Sequence, residues 1–334
     1  MKEVMTKRSI RFSIIIPLYN KEQFIDKVLS SIEAQTHKNF EVLVINDSST
    51  DSSFLVAQEK INAMKNLCFR MISNSKNLGV GDTRNRGIKE VSGDYVIFLD
   101  ADDEFSEITF LEKINQYIIE FSPEIIFLKR DYYGHHDKPE YQKVKNSLSL
   151  IGENFFRVKN KNSFAINGDF PFGGSGSVCV RKEVIVNKTF DNKEKLFEDW
   201  LFFIDLFIHS ESVFYYNIST IKINYDDNSL SRTRTIEDVN RIPKIYYFLK
   251  DNNNFTLSNV FFWTWLNFFV SCDQSVKTNF KILAIHRNEL LKNLKIRKRS
   301  IKLMFIVVAK LGKNILFRSI YFFSKKISSF TQKL

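Results

Sequence analysis

Residues 12–53 read FSIIIPLYNKEQFIDKVLSSIEAQTHKNFEVLVINDSSTDSS, and this stretch decides the fold. Two short apolar runs within it, Phe12–Pro17 and Glu41–Asn46, are rich in β-branched residues and predict strands. Between them, Lys21–Gln35 carries apolar residues at helical spacing and predicts a helix. A strand, a helix and a second strand in this order are typical of a right-handed βαβ unit with parallel strands.

The same alternation continues towards the C-terminus. Further strands are predicted at Phe69–Ser73, Tyr95–Leu99 and Ile125–Leu128, and further helices at Asp51–Met64, Val80–Val91 and Glu107–Phe121. We therefore expect an α/β fold with a Rossmann-like, mostly parallel central sheet flanked by helices. Ligands of such sheets bind beyond the carboxyl ends of the strands, so the candidate site residues are expected there.

The sequence pattern changes twice further along the chain. From about residue 131 to 235 it is irregular, with short strands, a cluster of small residues at 173–177 and one strong helix, Glu198–His209. From about residue 236 onward it is helical throughout. The sequence thus predicts an α/β domain at 1–235 and a C-terminal helical appendage at 236–334.

The composition is that of a folded protein in a reducing compartment. Hydrophobic residues make up 44% of the 334 positions and charged residues 26%, close to the globular average. The three cysteines, Cys68, Cys179 and Cys272, lie far apart without metal-ligand spacing, which argues against a zinc site and predicts buried thiols. The charged N-terminus lacks the apolar core of a signal peptide, and Phe255–Cys272 is too polar for a membrane span and predicts a buried helix. We therefore expect a cytoplasmic protein.

The net charge of +11 is concentrated at the C-terminal end. Residues 281–334 carry 14 Lys or Arg against one acid, Glu289. A nucleic-acid-binding protein more often has basic residues on its folded core, so nucleic acid is not the expected partner. From Leu290 to Leu334 basic residues alternate with Ile, Leu and Phe, as in helices that lie on an anionic membrane surface. The alternative is a packed appendage with a solvated basic face, or a contact in a homodimer.

Four acids, Asp100, Asp102, Asp103 and Glu104, directly follow the strand that begins at Tyr95. Neighbouring carboxylates repel one another, and a bound Mg²⁺ or Mn²⁺ ion removes the repulsion while bringing diphosphate oxygens to the site. The alternative is an acidic N-terminal cap for the predicted helix at Glu107, where the helix dipole favours acids.

The segments FSIIIPLYNKEQFIDKVLSSIEAQTHKNFEVLVINDSSTDSS, NLGVGDTRNRGI and GDYVIFLDADD together resemble the nucleotide-sugar half of family 2 glycosyltransferases, which have the GT-A fold. The resemblance covers about residues 12–105, with the elements in the family's order and spacing. It implies that 12–105 bind a nucleotide sugar, that 131–235 bind the acceptor and that 1–235 form a GT-A catalytic domain. The family members it resembles act in bacterial surface-polysaccharide assembly, where acceptors are often lipid-linked at the cytoplasmic face of the membrane.

The resemblance also implies a role for individual residues. The predicted nucleotide-sugar site consists of Pro17, Leu18, Tyr19, Asn20, Glu22, Asp47, Asn77, Gly79, Arg84, Asp100, Ala101 and Asp102. The loop after the first strand would cradle the nucleoside, Asp47 would accept a hydrogen bond from the base, and Arg84 would reach the base or the diphosphate. Asp100-Ala101-Asp102 corresponds to the DxD motif, in which Asp102 would ligate Mn²⁺ or Mg²⁺. Taken singly, these residues also suit a turn, a helix cap and a solvated helix charge.

A second acidic pair opens the predicted helix in the acceptor half. Sugar transfer needs a carboxylate beside the acceptor hydroxyl to take its proton, and an acid in the first turn of a helix with aromatic walls suits that task. The pair resembles the family's ED motif, which implies that Asp199 is the base and that Glu198 and Trp200 contact the acceptor. The alternative is helix capping. By the same resemblance, Gly173–Arg181 would lie beside the donor sugar and Asp227–Thr233 would close over the diphosphate.

These features predict an inverting glycosyltransferase with a UDP-sugar donor and a glycan or lipid-linked saccharide acceptor, peripheral on the inner face of the cell membrane. UDP is expected because Asp47 and the loop after the first strand resemble uridine-binding residues. A sugar-phosphate nucleotidyltransferase is the first alternative, but it would carry a glycine-rich basic loop where this chain has Pro17–Lys21. A non-catalytic membrane-associated protein of the same fold is the second, but it would not need Asp102 and Asp199.

Overall fold

The computed structural model describes residues 9–64, 68–132, 135–138, 141–167, 177–194, 197–224, 241–270, 285–286 and 288–290. The chain divides into two compact units, Met1–Arg232 and Thr233–Leu334. The predicted boundary at 235, the small-residue cluster at 173–176, the segment Asp227–Thr233 and the basic tail from 291 lie outside the described residues.

The first unit is built on one mixed sheet with helices. Its strands are β1 (Phe12–Leu18), β2 (Phe40–Asn46), β3 (Cys68–Ser73), β4 (Tyr95–Phe98), β5 (Asp103–Phe105), β6 (Ile125–Tyr132), β7 (His135–Lys138), β8 (Leu148–Gly152), β9 (Phe155–Val158), β10 (Val178–Arg181) and β11 (Val213–Ile223). Its helices are α1 (Ile25–Glu33), α2 (Ser53–Ala63), α3 (Val80–Glu90), α4 (Phe110–Phe121), α5 (Tyr141–Val144), α6 (Lys161–Asn167), α7 (Lys182–Ile185) and α8 (Glu198–His209).

The sheet order is β3-β2-β1-β4-β10-β6-β11-β9-β8, with β5 paired to β11 and β7 paired to β6. The four strands of the N-terminal half, β1 to β4, are parallel to one another, as the strand–helix alternation predicts. Strand β10 is antiparallel to both β4 and β6, and the later strands add further antiparallel pairs. The predicted α/β class with a Rossmann-like sheet is confirmed, and most of the antiparallel strands, though not β5, belong to the region whose sequence pattern is irregular.

Strands β1 and β2 lie inside the sheet, between β3 and β4, because their side chains are mostly apolar on both faces. All seven residues of β2 are buried, and in β1 only the side chain of Pro17 is partly exposed. Helix α3 lies close against these strands at Gly87, where an added Cβ atom would lie 2.6 Å from a methyl carbon of Ile15. Glycine therefore permits the close approach that brings the first turns of α3 to the carboxyl edge of the sheet.

Helix α1 begins at Ile25, four residues later than predicted. The intervening residues form a turn in which the carbonyl of Lys21 accepts hydrogen bonds from the amides of Phe24 and Ile25, at 3.0 and 3.1 Å. The side chain of Ser53 also accepts a hydrogen bond from the amide of Lys21 at 2.6 Å. The start of the predicted helix is therefore part of a loop at the carboxyl edge of the sheet.

Two of the three cysteines lie among the described residues, and the prediction of buried thiols is wrong for one of them. Cys179 is buried in β10, and burial raises the pKa of its thiol. Cys68 is exposed because it begins β3, the strand at one edge of the sheet.

The second unit contains α9 (Lys244–Asp251) and α10 (Phe255–Val270). The predicted helix over the apolar run is present, and it is mostly buried from Leu257 to Leu266, where Trp263 and Trp265 are at most 1% exposed, whereas its first residue, Phe255, is 55% exposed. Within the described part of the chain, no helix combines the length and the hydropathy that crossing a membrane requires.

Candidate active site

At the end of β1 a buried side chain is followed by an exposed one. Tyr19 is 42% exposed, whereas Leu18 is fully buried in the hydrophobic core. The carbonyl of Leu18 accepts a hydrogen bond from the amide of Asp47 at 2.8 Å. Only the main chain of Leu18 is therefore available to a ligand, while Tyr19 offers its ring.

Asn20 and Glu22 fix the loop after β1 to the loop after β2. Asn20 has a left-handed backbone with φ of 51°, and its side-chain oxygen accepts a hydrogen bond from the amide of Thr50 at 2.8 Å. The carboxylate of Glu22 accepts a hydrogen bond from the amide of Ser52 at 2.8 Å. Their side chains thus shape the rim of the predicted cradle, and a direct contact with a nucleotide stays a prediction.

Asp47, at the carboxyl end of β2, is 3% exposed and holds the loop that precedes α3. One carboxylate oxygen accepts hydrogen bonds from the amide of Leu78 at 2.9 Å and from the side chain of Asn74 at 2.7 Å. The other accepts from the amide of Gly79 at 2.9 Å, where φ is 90°, a conformation that favours glycine. The side-chain oxygen of Asn77 shares that amide at 3.1 Å. Asp47, Asn77 and Gly79 therefore form one hydrogen-bonded group, and base recognition by Asp47 stays a prediction.

Arg84 links the two acidic motifs. It lies on α3 with a side chain 5% exposed. One terminal nitrogen donates to the carboxylate of Asp100 at 2.8 Å, and the other donates to Glu198 at 3.3 Å. Its guanidinium also lies 5.4 Å from the centre of the Phe190 ring. The buried cation thus fixes the acid after β4 relative to the start of α8, and a direct role of Arg84 in nucleotide binding stays a prediction.

The acids after β4 do not cap a helix. Asp103 and Glu104 lie in β5, which pairs with β11, and α4 begins only at Phe110. The capping alternative is therefore wrong. Burial raises the pKa of Asp102, as does the neighbouring Asp100, while Lys21 lowers it. Burial raises the pKa of Asp103 well above its usual range, and the charges of Asp100 and Asp102 add to this effect.

Two residues that the sequence patterns did not single out hold Asp102 in place. The ammonium of Lys21 lies 2.6 Å from a carboxylate oxygen of Asp102, and each side chain is 18% exposed. The side-chain amide of Asn224 donates to the carbonyl of Asp102 at 2.8 Å and to the carboxylate of Glu104 at 2.7 Å. Lys21 directly follows the motif at residues 17–20, so its position in the sequence could have identified it as a site residue. Asn224 could not have been identified in this way, because it belongs to no sequence motif.

The carboxylates at this edge fit a divalent cation. They offer oxygen donors, which Mg²⁺ and Mn²⁺ prefer, and the raised pKa values of Asp102 and Asp103 show a repulsion that a cation relieves. One carboxylate oxygen of Asp102 is already paired with a positive charge, the ammonium of Lys21. No group of three or more His, Cys, Asp or Glu in the described ranges could hold a metal ion. A metal at Asp102 therefore needs further ligands from water or a bound diphosphate, as Mg²⁺ sites commonly do.

Helix α8 starts at the predicted residue and places Glu198 and Asp199 in its first turn. Phe197, immediately before it, has a left-handed backbone with φ of 67°, and its ring lies 4.4 Å from that of Trp200. Such a conformation is strained for a bulky residue and is common at functional sites. Burial and the adjacent Asp199 raise the pKa of Glu198 to about 7, although Arg84 opposes the shift.

Asp199 combines a raised pKa with a position close to the other charged groups. Burial is the main cause of the raised pKa, Arg84 opposes it, and the charge of Asp100 adds to it. One carboxylate oxygen accepts a hydrogen bond from the amide of Trp200 at 2.8 Å. A carboxylate with a raised pKa is a stronger base than a solvated one, so Asp199 has the chemistry that proton removal from a hydroxyl requires.

Comparison with known proteins gives the family context of this site. The model of glycosyl transferase family 2 matches residues 13–185, just over half of the chain. The glycosyltransferase GlyA of Streptococcus pneumoniae is 29% identical over 236 residues, which cover 67% of this chain and 32% of the relative. The amylovoran biosynthesis glycosyltransferase AmsB of Erwinia amylovora is 42% identical over 102 residues, covering 29% of this chain and 33% of the relative. The chain thus spans about a third of the length of these curated relatives.

Solved structures share the fold. The structure of S. aureus TarS 1–349 in complex with UDP-GlcNAc matches with a TM-score of 0.58 and 17% identity, over 92% of this chain and 83% of that chain. The mannosyltransferase PcManGT from Pyrobaculum calidifontis, in complex with GDP-Man and Mn²⁺, matches with a TM-score of 0.55 and 12% identity, over 93% of this chain and 89% of that chain.

Proposed function

The chain belongs to glycosyltransferase family 2, and we propose that it transfers a sugar from a UDP-sugar to an acceptor hydroxyl with inversion at the anomeric carbon. The observation that carries the proposal is the pairing of Arg84 with both Asp100 and Glu198. This pairing brings the acid that begins the DxD motif to the acid beside the candidate base. A donor site and a base at one place are what a single displacement requires.

The proton in this reaction goes to Asp199. Its carboxylate takes the proton of the acceptor hydroxyl as the oxygen forms a bond to the anomeric carbon, and the bond from that carbon to the diphosphate oxygen breaks. Glu198 and Trp200 flank the base in the first turn of α8, and we propose that they contact the acceptor. Asp102 would hold Mn²⁺ or Mg²⁺, which when bound offsets the negative charge that develops on the leaving diphosphate.

Support for a UDP donor comes from the binding residues and from one structural neighbour. The loop after β1, together with Asp47, Asn77 and Gly79, forms a hydrogen-bonded rim at the carboxyl ends of β1 and β2. TarS shares the fold and has been solved with UDP-GlcNAc. PcManGT shares the fold and has been solved with GDP-Man, so the nucleotide has to be tested directly.

The donor proposal predicts a selective hydrolysis. Purified full-length protein with Mn²⁺ is incubated with a panel of UDP-, GDP- and dTDP-sugars, and release of the nucleoside diphosphate is measured. We expect slow hydrolysis of at least one UDP-sugar, with water as the acceptor, and loss of this activity in EDTA. Preferential release of GDP or dTDP would contradict the UDP donor. Release of pyrophosphate from a nucleoside triphosphate and a sugar phosphate would instead indicate a nucleotidyltransferase.

For the acceptor we propose a glycan or lipid-linked saccharide of a surface polysaccharide, reached at the inner face of the cell membrane. One relative, AmsB, is named for amylovoran biosynthesis. The basic residues of the tail, 14 within 281–334, are proposed to bind the anionic membrane surface, where each contributes about 1 kcal/mol.

The membrane proposal predicts salt-sensitive binding to anionic vesicles. Full-length protein is co-sedimented with vesicles of anionic or neutral lipid at low and at high salt. We expect pelleting with anionic lipid at low salt and a marked decrease at high salt, because mobile ions screen exposed charges. Equal or absent pelleting in all four conditions would contradict membrane binding. The mass of the protein in solution would then show whether the tail serves a homodimer.

A further inference from the structure

The Lys21–Asp102 ion pair joins the loop after β1 to the DxD motif. The two charged groups lie 2.6 Å apart, and both side chains are largely shielded from water. The backbone of Lys21 is fixed on both sides, because its amide donates to Ser53 and its carbonyl accepts from Phe24. The flexible four-carbon stem of a lysine can still move the ammonium by several ångströms from such a fixed point.

Asp102 needs a positive charge whether or not a ligand is bound. Its side chain is only 18% exposed, and a second carboxylate, that of Asp100, lies two residues away in the same motif. The carboxylate of Asp100 is paired with Arg84, which lies on another element and is itself held by Glu198. Lys21 pairs directly with Asp102 and balances its charge.

Resting on the proposed metal-dependent function, we propose that Lys21 is a placeholder cation: it occupies Asp102 until metal-bound nucleotide arrives, and then pairs with the diphosphate. The ammonium and a divalent metal would compete for the same carboxylate. Metal alone must break the ion pair and leave Lys21 without this partner. Metal that arrives with UDP supplies a new anion for the displaced ammonium.

This exchange couples the binding of metal to the binding of nucleotide. Each ligand binds better in the presence of the other, because the diphosphate offsets the cost of displacing Lys21 from Asp102. The site would thereby bind free divalent cations weakly and bind them tightly together with the donor. Lys21 is thus a positioning residue with two opposite effects: it weakens the binding of metal alone and strengthens the binding of the metal–nucleotide complex.

The test is the pair of binding constants for Lys21→Met in the full-length protein. Mn²⁺ binding without nucleotide is measured by electron paramagnetic resonance, and UDP binding at saturating Mn²⁺ is measured by calorimetry. We expect Mn²⁺ alone to bind about tenfold tighter than to wild type, and UDP with Mn²⁺ to bind about tenfold weaker, within the usual range of coupling between two ligands. Lys21→Arg, which keeps the positive charge, should remain near wild type in the measurement with Mn²⁺ alone.

Lys60→Met is the matched control. Lys60 pairs with Asp26 at 3.6 Å, so its replacement removes the same charge from an ion pair that is not part of the proposed site. It should change neither constant. A general weakening of both constants in Lys21→Met, or no change in either, would overturn the placeholder role while leaving metal-dependent binding intact. If wild-type protein binds no Mn²⁺ even with UDP, the metal proposal itself fails together with the role of Lys21.

Discussion

Replacing Asp102 by Asn is expected to abolish donor turnover and to weaken Mn²⁺-dependent UDP binding, without loss of the fold. The amide has the shape of the carboxylate but lacks its charge, so the proposed metal loses a ligand and the Lys21 ammonium loses its ion-pair partner. Loss of one charge-stabilising group commonly costs a hundredfold to a thousandfold in rate, so we expect a decrease of at least about a hundredfold. The measurements are UDP release from the donor identified in the panel, and UDP titrations with and without Mn²⁺.

The control for this variant is Asp26→Asn, which removes a carboxylate from α1 that is 58% exposed and paired with Lys60. It should retain wild-type turnover. Thermal unfolding of Asp102→Asn should remain cooperative, because burial raises the pKa of Asp102 and the neutral amide relieves repulsion with Asp100. Turnover by wild-type protein that persists in EDTA would contradict the metal assignment, whatever the behaviour of the variant.

The parts of the structure that follow from local pattern could be predicted from the sequence. The alternation between Phe12 and Phe121 predicts the parallel strands and the helices between them, because strands buried on both faces are continuous apolar runs. Helix α8 has the predicted bounds, since an acidic first turn precedes a long apolar run. Shifts of a few residues occur where side chains and backbone of separate loops bind one another, as at the start of α1.

The interactions within the site could not be predicted in the same way, because they join residues that are distant in sequence. Arg84 contacts Asp100, 16 positions away, and Glu198, 114 positions away. Asn224 reaches Asp102 across 122 positions because β5 pairs with the end of β11. A motif identifies which residue types are present, whereas the partner of each depends on strand order.

The burial of Leu18 shows a related limit. Sequence similarity includes Leu18 in the cradle after β1, but alternation along that strand turns its side chain into the core. A matched motif therefore contains residues that support the site as well as residues that face it. Asp47 is a further case, since its carboxylate accepts hydrogen bonds that position the loop before α3.

Asp199→Asn is expected to separate chemistry from donor binding. The amide cannot accept the proton of the acceptor hydroxyl, so turnover should fall about a hundredfold or more, the usual contribution of a general base. The affinity for UDP with Mn²⁺ should stay near that of wild type, because none of the proposed ligands of the nucleotide lies on α8: they lie at the ends of β1 and β2, at the start of α3 and in the DxD motif. The amide retains an oxygen that can accept the hydrogen bond from the amide of Trp200, so the first turn of α8 should be preserved.

The matched control for the base lies on the same helix. Asp205 is paired with Lys188 at 2.6 Å, two turns beyond Asp199, and Asp205→Asn removes an equal charge away from Arg84. We expect Asp205→Asn to keep most of the wild-type turnover, measured as UDP release at saturating donor and Mn²⁺. If Asp199→Asn turns over at the wild-type rate, another group takes the proton. Glu198 would then be the next residue to replace, because its pKa of about 7 and its contact with Arg84 place a second base at the same point of the site.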